Sequence, residues 1–135
     1  MEINRLGSDI MRRRIGYLEG TDSKILSSFI AKGYNTMTLG NGLDGHGKFL
    51  AHIDPTDKLC AVVGYLHKFL PLTDQKITPN DLLYGCRLQN IPVFIMVPKE
   101  LMAEGKKVLE DVSDFVNFVE PESALEAILV FLDNK

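Results

Sequence analysis

The sequence predicts an α/β fold: a three-layer αβα sandwich around a five-stranded parallel sheet, in a single domain of 135 residues. Three observations predict it. The runs LCAVVGYL at 59–66 and IPVFIMV at 91–97 are almost wholly apolar, as strands buried on both faces must be. Segments with apolar residues at helical spacing follow the strand-like runs. The resulting βα alternation, five times over, calls for right-handed crossovers and a sheet covered on both sides.

Taken in order, RIGYLE at 14–19 reads as the first strand, stopped by Gly20. Thr21, Asp22 and Ser23 offer N-cap oxygens, and Ile25, Leu26, Phe29 and Ile30 make one apolar stripe. Gly33 stands where a helix end wants a left-handed residue. The second strand is 34–39, followed by a glycine-dense loop at 40–47 and a short helix carrying Phe49, Leu50 and Ile53. After the third strand, 59–66, comes a long polar loop at 67–77, and loops of that length are often functional. Thr78-Pro79-Asn80-Asp81 is a helix start: Thr78 caps, Pro79 suits the first helical position, and Asp81 faces the positive end. That helix turns Leu82, Leu83, Cys86 and Leu88 inward and closes at Asn90. The fourth strand is 91–97, with Pro92 at its start. A helix over 99–112 with Leu101, Val108 and Leu109 inward, a last strand at 115–119 and a helix over 121–132 complete the chain. Residues 1–12 add an N-terminal helical arm.

Composition narrows the function. The chain is 45% hydrophobic and 24% charged, normal for a globular domain. A domain this long buries roughly two thirds of its unfolded-chain surface, so its core needs no metal or disulfide. The net charge of −3 gives no reason to expect nucleic acid as a partner; Arg12, Arg13 and Arg14 read as a solvated strand entrance. Cys60 and Cys86 lie in apolar segments without a CxxC pair, so they read as buried thiols. No secretory h-region opens the chain and no apolar run nears the roughly 20 residues that cross a bilayer. A cytoplasmic protein without a membrane partner is expected.

In an open parallel sheet, ligands bind beyond the carboxyl ends of the strands. Two segments there draw the eye. Gly40-Asn41-Gly42-Leu43-Asp44-Gly45-His46-Gly47-Lys48 contains G-x-G-x-x-G between a predicted strand and a predicted helix. Such glycines let backbone amides approach a phosphate, and a helix start adds donors. Gly40, Asn41, Gly42, Gly45, His46, Gly47 and Lys48 are therefore candidate ligand-binding residues. The motif follows the second strand rather than the first, and no acid ends the next strand, so a dinucleotide is not indicated. Gly42 to Lys48 also fits G-x-x-x-x-G-K, but Phe49 replaces the hydroxyl residue that would hold magnesium. A glycine turn with no ligand is an equally good reading of the same residues. The second segment brings His67 and Lys68 to the end of a central strand. Lys68 is a further candidate ligand contact; His67, Asp81 and Asp44 are candidate acids or bases, although a solvated loop position also explains His67. No metal site is expected, because His46 and His52, six apart, fall on different faces of a helix.

The chain resembles the Rossmann-like group of nucleoside deoxyribosyltransferases and lysine-decarboxylase-like phosphoribohydrolases. The resemblance rests on Leu39-Gly40-Asn41-Gly42 through Gly45, and on Thr78-Pro79-Asn80-Asp81-Leu82-Leu83-Tyr84-Gly85 with Asn90-Ile91-Pro92-Val93. It spans residues 15–97 and implies a Rossmann-like or flavodoxin-like sheet with a nucleotide-sized pocket. The glutamate that the group places in this helix turn is absent: Leu82, Leu83 and Tyr84 stand there. The PGGxGT pattern is absent too. The resemblance thus implies a fold and a pocket, not glycosidase activity.

Three functional readings follow, with no cofactor singled out. One is a domain binding a phosphate-bearing small molecule or nucleotide at the glycine loop. Another is an enzyme acting on an N-glycosidic or phosphoester bond with His67, Asp81 or Asp44. The third is a non-catalytic homo-oligomeric module, a homodimer, because Leu125, Ala127, Ile128, Leu129, Val130, Phe131 and Leu132 are more apolar than one buried helix face requires; deep burial by the chain's own N-terminal arm is an equally good reading of that helix.

Overall fold

The computed structural model describes residues 14–42, 47–70 and 77–134. Among them, six strands form one all-parallel sheet: β1 (Arg14–Leu18), β2 (Asn35–Gly40), β3 (Lys48–Phe49), β4 (Leu59–Tyr65), β5 (Val93–Met96) and β6 (Asn117–Val119). Their order across the sheet is β3-β2-β1-β4-β5-β6. The helices are α1 (Ser23–Ala31), α2 (Pro79–Leu82), α3 (Tyr84–Gln89), α4 (Met102–Val108) and α5 (Ala124–Asp133), with short 3-10 turns between them.

The pleat divides the core in two. Ile15, Ala61, Val63, Phe94 and Met96 project to one face, where Ile25 and Phe29 of α1 and Ala124 and Ile128 of α5 cover them. Leu18, Val62, Val93 and Ile95 project to the other, under Leu82, Leu83, Cys86, Leu109 and Val112. Period-2 alternation with both faces apolar is what made these strands read as continuous hydrophobic runs. The topology explains why the helices change sides. From β1 the chain moves outward through α1 to β2; from β4 it moves the opposite way to β5 and β6. Crossovers of one hand then require opposite faces.

The sheet has six strands, not the expected five. The extra strand, β3, pairs Lys48 with Leu39 and Phe49 with Gly40. It occupies the start of the segment expected to be a short helix; only a 3-10 turn, Leu50–His52, follows it. Two residues are too few to display a period, so backbone pairing decided this element.

The predicted helices over 78–90 and 99–112 are in place but are broken into shorter pieces. The 78–90 segment breaks at Leu83, which joins α2 to α3. Leu82, Leu83 and Cys86 are buried as expected, while Leu88 faces outward. Asn90 closes α3 in the left-handed conformation, φ 59°. The 99–112 segment divides into a 3-10 turn, α4 and a second 3-10 turn. Leu109 is buried as expected, but Leu101 and Val108 are exposed, and Gly105 and Val112 are buried in their place. A change of helix pitch rotates the apolar stripe, and this rotation reassigned those two side chains. No described helix is long and apolar enough to cross a membrane.

Candidate functional site

Because every strand runs the same way, all the carboxyl ends share one rim. The order reverses between β1, which leads to β2, and β4, which leads to β5. That reversal opens a crevice between diverging connections. After β1 the chain turns through Gly20, φ 92°, into Thr21. The Thr21 hydroxyl donates to the Leu18 carbonyl at 2.7 Å. Asp22, not Thr21, caps α1: its carboxylate accepts from the Lys24 amide at 2.9 Å. After β4 the chain forms the 3-10 turn Leu66–Lys68. A Cβ built on Gly20 would lie 3.9 Å from Lys68 Cε, so the lysine stem runs close over the end of β1.

Gly40 is the buried last residue of β2, and Asn41 and Gly42 follow it at this rim. Asn41 is only 8% exposed. Its Nδ2 donates to the Lys68 carbonyl at 3.1 Å, which ties the exit of β2 to the exit of β4 across β1. Asn41, Lys68, Phe69, Leu70, Ile77, Thr78 and Leu82 line a narrow recess of about 10 Å³. Its lining combines apolar Phe69, Leu70, Ile77 and Leu82 with polar Asn41, Lys68 and Thr78. Its volume is roughly the space of one water molecule, far below the ligand-pocket range of about 300–1,000 Å³, so a ligand could meet only the mouth of this recess.

The glycines have local reasons to be glycine. Gly42 has φ 93°, and a Cβ there would press to 3.1 Å of the Phe49 ring. Gly47 has φ 70°, and its Cβ would collide with the Thr38 carbonyl. Gly47 thus lets the returning chain abut β2 and start β3. The segment after the loop is a strand, so no α-helix N-terminus stands behind these glycines.

Lys48 turns to carboxylates. Its Nζ lies 2.8 Å from Asp57 Oδ2 and 3.3 Å from Asp54 Oδ2. The Asp57 carboxylate also accepts from the Asp54 amide at 2.9 Å. These contacts hold the turn between β3 and β4. The hydrogen bond to Asp57 raises the Lys48 pKa, and the Thr56 hydroxyl and amide, with Lys48, lower that of Asp54. The positive charge assigned to the glycine loop is therefore used inside the fold.

Of the acid–base candidates, His67 is exposed on the 3-10 turn with its ring stacked on Tyr65, centroids 6.2 Å apart. Asp81 forms a reciprocal cap with Thr78: its carboxylate accepts from the Thr78 amide at 3.1 Å, and its amide donates to the Thr78 hydroxyl at 3.1 Å. A T-x-x-D pattern is itself a capping signature, and that reading accounts for the carboxylate without catalysis. Asp44, Gly45 and His46 lie outside the described residues, as does the proposed arm at 1–12. Among the described residues, no three His, Cys, Asp or Glu side chains converge as a metal site. The structure brings together Gly20, Asn41, Lys68 and Thr78; it sets Lys48 and Gly47 apart at the β3 edge. The Asn41–Lys68 bridge was not legible in the sequence, since no local pattern marks a contact 27 residues apart.

Compared with protein-family models, curated proteins and solved structures, the chain has no significant match in any of the three.

Proposed function

We propose that this chain is a Rossmann-like binding domain that takes a phosphate-bearing small molecule or nucleotide at the carboxyl rim, in the crevice between β1 and β4. The strand order β3-β2-β1-β4-β5-β6 carries the reading: it is the doubly wound order whose reversal point receives ligands in open α/β sheets. Gly20, at positive φ, follows β1 at that crevice, and Lys68 and Asn41 bound it; Gly42, also at positive φ, lies beyond β2 toward Phe49 of β3. The phosphate would lie on the rim beside Lys68, Asn41 and Thr78, over the mouth of the narrow recess, with the remainder of the ligand along the rim. Two cysteines, Cys60 and Cys86, without a disulfide support a reducing, cytoplasmic setting. The test is thermal unfolding with inorganic phosphate, a nucleotide panel and sugar phosphates. A rise in melting temperature with at least one, reduced in Lys68→Ala, is expected. No shift with any compound would overturn the proposal.

A second reading concerns assembly. Ile30 of α1 is 59% exposed and Val130 of α5 is 52% exposed, on two helices that pack against each other over one sheet face. We propose that this face joins two copies into a homodimer. Sedimentation at micromolar concentration should show twice the 15.1 kDa chain mass, and Val130→Glu should return it to a monomer. A wild-type monomer would exclude the dimer.

A further inference from the structure

We draw no further inference here: the strongest candidate, the outward face of α3 where Tyr84 is 61% and Leu88 is 70% exposed, is an apolar helix face, and nothing in the structure shows what covers it.

Discussion

Single residues decide the rim of this sheet. Gly47 shows how. Its backbone has φ 70°, and a Cβ would strike the Thr38 carbonyl. Backbone cannot yield as a flexible side-chain tip can, so steric overlap adds to the strain of a left-handed alanine. Gly47→Ala should therefore lower the unfolding free energy by about 2–3 kcal/mol, measured as a lower urea midpoint with an unchanged m-value. An unchanged midpoint would mean that β3 is dispensable. Cys86 is a different case. Burial alone pushes its thiol up to about 12, so it stays protonated and serves as a small apolar side chain in the α3 interface.

At the scale of elements, caps and breaks matter more than helix propensity. The segment from Thr78 to Gln89 holds only two short helices, and helices this short do not persist by themselves. They are held by the Thr78–Asp81 cap at one end, by Leu82, Leu83 and Cys86 beneath, and by Asn90 at the other end. Arg87 adds a tie, with Nη1 3.1 Å from Asp114 Oδ2 and its guanidinium 5.0 Å from the Phe115 ring centroid. Thr78→Ala removes one half of the reciprocal cap and should cost about 1 kcal/mol, read by chemical denaturation. Thr78→Ser, which keeps the hydroxyl, should recover most of the loss. If Ser and Ala behave alike, the cap is not what starts α2.

For the whole molecule, the sheet is a shared wall between two cores. Phe29 is fully buried on one face and Leu83 almost so on the other. The central strands β1, β4 and β5 contribute side chains to both, so neither core can open without disturbing the other. Phe29→Ala and Leu83→Ala should each destabilise by about 3 kcal/mol. In both variants, far-UV and near-UV signals should still lose structure in one coincident transition. Separate transitions would show that the faces fold independently.

Most of the architecture was legible locally. Strands buried on both faces announce themselves as apolar runs, and Thr78, Asn90 and Gly33 mark helix ends through chemistry that acts within four residues. Local pattern thus determined the α/β class, five of the strands and the sites of every predicted helix except the short one carrying Phe49, Leu50 and Ile53. Three matters needed the tertiary structure. β3 exists because Gly47 lets a backbone lie against Thr38. Lys48 points to Asp54 and Asp57, six and nine residues away in sequence, because a turn folds them beneath it. The crevice, too, is assembled from the exits of β1, β2 and β4, bridged by Asn41 and Lys68. Such contacts depend on strand order, and strand order is set by packing among distant segments, which no window of neighbouring residues contains.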